Sequence, residues 1–271
     1  MVFSHLICPV CGTPLSEDGR RLLCEQRHSF DLAKSGYCNL LPPSGKHVHG
    51  DNKEMIRARR DFLECGAYSF LADAVADAVR AVFPENGFLL DAGCGECYYT
   101  EKILAAITEK APEALGIDIS KDACIYGKKR LPSLPLAAAS LYRIPVESAS
   151  VDTLVLLFAP FAAEEISRVL KPNGHLVMAF PGRRHLFGLK EILYETPYEN
   201  EVAPLSIAGY TLVHHESLSR TVCFKDRSEI ESLFMMTPYY YRTRPADKEK
   251  LYALPLLETE LSFELAVYRK D

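Results

Sequence analysis

The residues best suited to chemistry are four thiol and imidazole groups near the start of the chain. Cys8 and Cys11 are separated by two residues and Cys24 and His28 by three, with twelve residues between the two pairs. Two short-spaced pairs joined by a loop can bring four ligands to the corners of a tetrahedron, which is the geometry that Zn²⁺ prefers. The spacing therefore predicts a small, zinc-ribbon-like module held by Cys8, Cys11, Cys24 and His28.

Two other interpretations of the N-terminal cysteines stay open. Free cysteine is often simply a small buried hydrophobic residue, and Cys38 could replace His28 as the fourth ligand. Paired spacing, in a segment too short to form its own hydrophobic core, favours a bound metal. Cys38 has no neighbour at short spacing, and its surroundings are typical of a strand or loop that packs elsewhere, so His28 is the predicted ligand.

A second chemically suggestive stretch is DAGCGECYY, residues 91–99, which follows the apolar residues 88–90. It indicates a strand, a glycine turn and a helix start, where Gly93 and Gly95 let the backbone approach a ligand and the helix offers unpaired N–H groups. A dinucleotide fingerprint would need glycine in place of Tyr98. An S-adenosylmethionine (SAM) site needs only Asp91, Gly93 and Gly95, so the stretch favours SAM.

Asp118 ends the next apolar run, about two dozen residues beyond the glycines. An acidic side chain at that strand end can accept hydrogen bonds from both ribose hydroxyl groups of a nucleoside cofactor. We therefore expect Asp118 to contact SAM directly.

The elements that must position these residues alternate along the chain. Apolar periodicity predicts two helices over residues 54–82 with a break near Gly66, and from Phe88 onward strands alternate with helices. This alternation is typical of an α/β protein with a doubly wound, mostly parallel, Rossmann-like sheet, which binds ligands at the carboxyl ends of its strands. After the glycine turn we predict strands at 114–119, 134–139, 151–158, 175–180 and 258–268 (antiparallel), helices at 121–130 and 162–170, and a turn at 171–174.

The composition is that of a packed globular protein. The 271 residues are 48% hydrophobic and carry 31 basic against 36 acidic side chains, a net charge of −5 that excludes a general basic coat for nucleic acid. Residues 1–61 differ, with nine basic and seven acidic side chains, and lean towards a phosphate-bearing partner. The sequence shows no secretory signal and no apolar run of ~18 residues, so we expect a cytoplasmic protein with reduced thiols and no membrane contact.

Several longer motifs carry a family resemblance. DAGCGECYYT, GIDIS and ISRVLKPNG are similar to the motifs of class I methyltransferases, and the zinc pattern, MIRARRDFLECGAYSFL, GRRHLFGLKEILY and FMMTPYYYRTRP narrow the match. Together they resemble the large-subunit (23S) rRNA guanine-N1 methyltransferases from about residue 6 to residue 268. The resemblance divides the chain into a zinc module at 1–45, a linker and helical segment at 46–87 and a SAM-dependent methyltransferase domain at 88–271.

The resemblance also implies an activity. A homodimer would transfer a methyl group from SAM to N1 of one guanine in a hairpin loop of large-subunit rRNA, and its zinc modules would help to hold the RNA. At position 97 the family usually has a third glycine, so Cys97 is either tolerated at the helix start or crowds the methionine moiety and weakens SAM binding. The residues implied to line the SAM pocket, besides Asp118, are Tyr68, Gly95, Glu96, Cys97, Tyr98 and His185.

The substrate needs an aromatic or apolar surface beneath its flipped base, which we call the floor, and cations for its phosphates. Phe158, Pro160 and Phe161 follow the fourth predicted strand and are placed for the floor, although phenylalanine here is also typical of a core. Arg183 and Arg184 follow the fifth strand, where they could meet RNA phosphates or simply be solvated charge. The sequence singles out no general base, because Asp91 and Glu96 each have another role in holding SAM or the turn.

Two functions from other classes stay open. A small-molecule SAM methyltransferase would share the whole core, but it has no evident use for a Cys3His module. A non-catalytic zinc and RNA-binding protein on a methyltransferase core is the second, and Cys97 is the defect that motivates it.

Overall fold

The N-terminal module is a small antiparallel sheet. The computed structural model describes residues 3–42 and 50–271, so the predicted boundary at 45/46 and residues 46–49 of the predicted linker lie outside the described residues. Strands β1 (Leu15–Asp18), β2 (Arg21–Cys24) and β3 (Ser29–Asp31) pair in that order. Leu15 lies opposite Cys24, so the strand pairing places one end of the sheet beside the predicted zinc ligands.

The main sheet has eight strands in the order β10, β11, β9, β8, β5, β6, β7, β4. All pairs from β4 to β9 are parallel, whereas β11 is antiparallel to both β9 and β10. This arrangement confirms the predicted mostly parallel, doubly wound fold with an antiparallel last strand. Its strands are β4 (Cys38–Asn39), β5 (Phe88–Ala92), β6 (Glu113–Asp118), β7 (Leu136–Ala138), β8 (Val151–Leu157), β9 (Leu170–Pro181), β10 (Tyr210–Phe224) and β11 (Leu257–Lys270).

Eight α-helices flank the strands in the described part of the chain. The break predicted near Gly66 separates α1 from α2, and Gly66 adopts the left-handed conformation that a helix end favours. The side chains of Asn52 and Ser120 cap α1 and α4 by accepting backbone N–H groups. The helices are α1 (Lys53–Glu64), α2 (Ser69–Val82), α3 (Tyr98–Ala106), α4 (Lys121–Arg130), α5 (Ala163–Val169), α6 (Phe187–Leu193), α7 (Arg227–Met235) and α8 (Pro245–Tyr252).

The turn predicted at 171–174 lies inside β9. Leu170 pairs with Val151 and His175 with Thr153, so the residues between them bulge out of one continuous strand. Asn173 takes a left-handed conformation in this bulge. The predicted turn is therefore a local bend inside one strand, and the prediction that a new strand begins after it is wrong.

Successive strand residues face two separate cores, as the period of a strand requires. Leu89 of β5 packs with α2, α3, α6 and α7, whereas Leu90 packs with α5 and with the N-terminal module. The module belongs to this second core through Leu6 and Leu22, and β4 extends the sheet beside β7. The Cys38 sulfur is not among the ligand atoms that converge in the module, as its surroundings predicted.

The module docks near the amino ends of the strands. The His5 ring stacks on Phe88, the first residue of β5, at 4.5 Å between centroids, and Leu6 bridges to Val146 just before β8. None of the helices in the described ranges combines the length and apolar character that crossing a bilayer requires.

Candidate functional site

The four predicted zinc ligands meet at one point of the module. The sulfur atoms of Cys8, Cys11 and Cys24 and a ring nitrogen of His28 lie within 4.8 Å of one another. Two tight turns position them, and each turn directs a backbone N–H at a sulfur, from Val10 to Cys8 (3.4 Å) and from His28 to Cys24 (3.3 Å). Such N–H groups stabilise thiolates, which are the form that binds a metal.

The donor set fits zinc. Three thiolates and one imidazole satisfy the preference of Zn²⁺ for four sulfur and nitrogen ligands. The Nδ1 atom of His28 lies 3.6 Å from the sulfur of Cys8 and 3.4 Å from that of Cys24, so Nδ1 is the nitrogen that faces the centre. A hydrogen bond with the Thr13 hydroxyl lowers the pKa of Cys11 to about 6. By contrast, burial raises the pKa of Cys38 to about 12, so that thiol stays protonated.

The glycine loop lies at the carboxyl end of β5 and folds back on β6. The N–H groups of Gly93 and Cys94 both donate to the carbonyl oxygen of Ile117, at 2.8 and 3.0 Å. Gly93 and Gly95 take left-handed conformations, with φ of 87° and 56°. A Cβ on Gly93 would lie 2.9 Å from that of Ala159, so glycine is required where the loop passes the end of β8.

Asp91 is a buried carboxyl group beneath this loop. The Thr100 hydroxyl donates to its Oδ2 atom at 2.5 Å. Burial raises the pKa of Asp91 to about 7, although the hydrogen bond from Thr100 opposes the shift. The site therefore favours a cationic or hydrogen-donating ligand group that would stabilise the ionised form.

Asp118 joins the glycine loop to the turn after β6. Its Oδ2 atom accepts the N–H of Gly95 at 2.9 Å, and its Oδ1 atom accepts the N–H of Ser120 at 2.7 Å. A carboxylate has about four lone-pair sites, so each oxygen retains capacity for a ribose hydroxyl. Burial raises the pKa of Asp118, while these two backbone donors favour its ionised form.

Two buried oxygens of the loop region have no hydrogen-bond partner within the described residues, namely Glu96 Oε1 and Tyr99 Oη. Arg130 binds only the other oxygen of Glu96, at 2.9 Å, and also contacts Glu101 and Glu64. Buried polar atoms are rarely left unpaired, so the two oxygens mark places for a polar ligand. Together with the Gly93 turn, they show that the residues present fit a bound SAM.

Tyr68 and His185 form a hydrogen-bonded pair on the other side of the site. The Tyr68 oxygen lies 3.2 Å from Nε2 of His185, and the Ser262 N–H donates to Nδ1 at 3.3 Å. Burial lowers the pKa of His185 to about 3, so the ring is neutral. Because Nδ1 accepts, we assign the proton to Nε2, which donates to Tyr68 and leaves the tyrosine hydroxyl hydrogen available to a ligand.

Cys97 caps α3 in a left-handed conformation, with φ of 68°, which explains why glycine suits this position. Its thiol is fully buried and packs with Cys94, Cys124 and Leu136. A Cβ on Gly127 of α4 would lie 2.8 Å from the Cys97 sulfur, so the thiol fills space that Gly127 leaves. The geometry agrees with a thiol tolerated at the helix start. The neighbouring Tyr98 ring packs beside the Arg130 guanidinium, 5.6 Å from its centroid.

The three predicted floor residues face different surroundings. Phe158 is 43% exposed and strained, with φ of 55°, and its ring lies near those of Tyr99 (6.3 Å) and Phe263 (5.7 Å). Pro160 is exposed, whereas Phe161 lines a separate apolar groove of about 930 Å³ along β9. Of the three, only Phe158 shares an aromatic cluster with Tyr68 and His185, through the ring of Phe263.

Both predicted arginines already have carboxylate partners. Arg183 and Arg184 each pair with Glu199, at 3.7 and 3.3 Å, and Arg184 also pairs with Glu260 at 3.1 Å. The arginines are exposed at the rim of the site, where such pairs are weak and exchange readily with other anions.

The glycine-loop region also contains Thr100, Tyr99 and Arg130, which are not among the predicted residues. The Tyr98 and Tyr99 doublet at a helix start was a visible signal for the second tyrosine. Thr100 and Arg130 offered none, because their partners lie 9 and 34 residues away and are brought close only by the fold.

A parallel sheet with a glycine loop after β5, an acidic residue ending β6 and an antiparallel last strand defines a class I SAM-dependent methyltransferase. The family profile described as "Methyltransferase domain" matches residues 90–178, and the zinc-ribbon profile described as "RlmA, N-terminal" matches residues 6–49. Both profiles and the Cys3His cluster confirm the expected cofactors, SAM and zinc.

The chain belongs to the 23S rRNA (guanine-N1)-methyltransferase family, as its motifs predicted. It is 36% identical to a Micromonospora griseorubida protein provisionally given that name, over 89% of this chain and 88% of the relative. It is 28% identical to a Streptomyces fradiae 23S rRNA (guanine(748)-N(1))-methyltransferase over 99% and 98%. A Bacillus halodurans crystal structure, provisionally titled a methyltransferase, has the same fold, with TM-score 0.50, 15% identity and coverage of 72% and 98%.

Proposed function

We propose that this protein transfers the methyl group of SAM to N1 of one guanine in a hairpin loop of large-subunit rRNA. The observation that supports this proposal is that one sheet carries both the glycine loop with Asp118 and a docked Cys3His module. A methyltransferase of small molecules has no evident use for that module, and the relatives named for rRNA methylation match nearly the whole chain.

The cofactor would be held from both ends. SAM, when bound, supplies an electrophilic methyl group on its sulfonium. We propose that Asp118 accepts the ribose hydroxyls, that Tyr68 donates its hydroxyl hydrogen, and that His185 fixes the direction of that hydrogen. The remaining proposed contacts come from Asp91 and from the loop residues Gly93, Gly95, Glu96, Cys97 and Tyr98.

Catalysis then depends mainly on placing the guanine. N1 lies on the Watson–Crick edge, so the base must leave any stack and enter the site, with N1 ~3–3.5 Å from the methyl carbon. The exposed ring of Phe158, whose backbone is strained, lies beside Tyr99 and is our proposed floor. Pro160 would extend this floor, and Arg183 and Arg184 would exchange Glu199 for RNA phosphates.

Incubating the protein with labelled SAM and with rRNA from a strain that lacks its gene tests this function. We expect label in 23S rRNA, and a primer-extension stop at one loop guanine, because a methyl group on N1 blocks base pairing. A parallel incubation with a metabolite extract is the control. Label confined to small molecules would overturn the rRNA substrate, and the absence of any transfer would favour a non-catalytic protein.

We also propose the assembly and location that the family resemblance implies. Zinc held by Cys8, Cys11, Cys24 and His28 would stabilise a module at residues 1–45 that helps to hold RNA, ahead of the helical segment 46–87 and the methyltransferase domain 88–271. The protein would act as a homodimer in the cytoplasm. Light scattering on the purified chain should give twice the 30.3 kDa of one copy, and a single-copy mass would contradict the dimer.

A further inference from the structure

Three residues before α1 lie across the carboxyl end of β6. Gly50 approaches the turn after β6 so closely that a Cβ would be 2.8 Å from Cγ2 of Ile119 and 3.0 Å from the nitrogen of Ser120. Real Cβ atoms are essentially never found at the shorter of these separations. Glycine is therefore required for this contact. We call Gly50–Asn52 the clasp.

Three polar contacts fix the clasp to three different elements. The Ser120 hydroxyl donates to the carbonyl oxygen of Asp51 at 2.7 Å, and the Asp51 carboxylate pairs with Arg59 of α1. The Asn52 side-chain amide donates to the hydroxyl of Tyr241, at 2.7 Å, near the start of α8. The clasp is thus a specified structure, held to the β6 turn, to α1 and to the C-terminal part of the chain.

The clasp also shares a partner with the ribose site. Ser120 donates its hydroxyl to the clasp and its N–H to Asp118, and Asp118 accepts the N–H of Gly95 in the glycine loop. One chain of hydrogen bonds therefore runs from the glycine loop through the carboxylate to the clasp. The positive charge of Arg59 also opposes the rise in the pKa of Asp118 and Tyr68, which places that guanidinium near the site.

We propose that the clasp forms one wall of the nucleoside half of the SAM site and holds Asp118 in the orientation that ribose binding needs. This inference rests on the proposed function, because it takes SAM as the ligand. Displacing Gly50 would move Ser120, and with it one of the two backbone donors that orient the Asp118 carboxylate. The loss should fall on the adenosine part of the ligand and spare the methionine part.

Two ligands distinguish the nucleoside half of the SAM site from its amino-acid half. S-adenosylhomocysteine contains both the nucleoside and the amino acid, whereas 5′-methylthioadenosine retains the nucleoside and lacks the amino acid. We would titrate each ligand calorimetrically into the full-length, zinc-loaded chain and its Gly50→Ala variant. We expect Gly50→Ala to weaken both ligands by the same factor, about tenfold or more, because a Cβ cannot fit without moving the β6 turn.

Tyr241→Phe and Glu54→Gln complete the design. Tyr241→Phe removes only the acceptor of the Asn52 hydrogen bond and should weaken both ligands by roughly two- to tenfold, even if Gly50→Ala fails to fold. Glu54→Gln changes an exposed residue of α1 beside the clasp and should bind as the wild type does. Zinc content and thermal unfolding would show that each variant is folded.

The outcomes are distinct. Wild-type affinity in both clasp variants, or a loss confined to S-adenosylhomocysteine, would overturn the clasp while leaving the proposed function intact. A wild-type chain that binds neither ligand would overturn the proposed function and the clasp together.

Discussion

At Asp91 the proposed contact with SAM and the stability of the fold conflict most directly. Burial raises its pKa from 3.8 to about 7, so the folded chain retains a proton that the unfolded chain has lost at intermediate pH. The protonated Asp91 side chain contributes fully to the stability of the fold below the pKa that Asp91 has in the unfolded chain. This contribution is lost as the pH rises from about 4 to 7. We expect Asp91→Asn to raise the free energy of unfolding above pH 7 by the order of a few kcal/mol in the absence of SAM, and to weaken SAM binding.

Denaturant unfolding at several pH values, with calorimetry for SAM, checks this trade-off. The gap between variant and wild type should widen from pH 4 to pH 7 and then stay constant. Glu109→Gln, an exposed carboxylate beyond α3, is the matched control and should show no such gap. A variant less stable than the wild type at pH 8 would contradict the burial penalty.

Cys97 and Gly127 should behave as a matched pair. A Cβ at position 127 would lie 2.8 Å from the Cys97 sulfur and 2.9 Å from Leu136, so we expect Gly127→Ala to destabilise the fold by about 1–2 kcal/mol. Cys97→Gly removes the nearer contact and should recover about 0.5–1 kcal/mol of that loss in the double variant. Denaturant unfolding of the four proteins measures the coupling, and strictly additive effects would contradict it. Cys97→Gly alone should leave SAM affinity unchanged, because the thiol is fully buried behind the loop and the proposed contact of Cys97 with SAM is made by its backbone.

At the scale of elements, the module depends on its metal. The strands β1 to β3 contain few buried apolar residues, so pairing of their backbones relies on a central cross-link. We expect Cys24→Ser to abolish zinc binding and to speed hydrogen exchange at the β1 and β2 amides. Metal analysis and exchange mass spectrometry test this. Cys65→Ser, at an exposed cysteine outside the module, should keep its zinc, and a Cys24 variant that keeps its zinc would contradict the ligand assignment.

Sequence periodicity could predict the elements that are buried on both sides or bounded by clear turns. The path from β5 through the glycine loop to α3, and that from β6 to α4, are as predicted, because apolar runs and glycines define them locally. β10 could not be predicted, since it is an edge strand whose residues are mostly exposed and show no alternation. The short helices α6 to α8 depend on packing against the sheet more than on their own pattern.

The candidate site also has a part that the sequence could indicate and a part that it could not. The zinc ligands and the residues of the glycine loop are close in sequence, so spacing alone could indicate them. The pairing of Tyr68 with His185 spans 117 residues and that of Asn52 with Tyr241 spans 189, and only the folded chain brings each pair together. Spacing also could not show that Phe158 and Phe161 face different surroundings, because that depends on the bend at the end of β8.

At the scale of the whole molecule, a net charge of −5 requires that RNA be met by a local surface. Helices α1 and α4 pack together and carry eight basic against four acidic residues, although Lys128 is buried and Arg130 is bound to three carboxylates. Arg60 and Lys129 both lie over the ring of Tyr126, at 6.0 and 4.7 Å from its centroid. This face adjoins the clasp and the cofactor loop, so phosphates near the target guanine would meet it.

The salt dependence of rRNA binding can locate that surface. Each phosphate contact contributes about 0.7–0.9 to the slope of log affinity against log salt, because binding releases counterions. We therefore expect the double variant Arg60→Gln, Lys129→Gln to flatten the slope by about 1.4–1.8 and to weaken binding at low salt.

Arg80→Gln removes an exposed cation at the end of α2, which pairs with Asp77, and should leave the slope unchanged. Filter binding of a 23S rRNA hairpin between low and moderate salt gives these slopes. Equal slopes for the double variant and the wild type would place the RNA on another face, and equal losses in both variants would mean that binding responds to total charge alone.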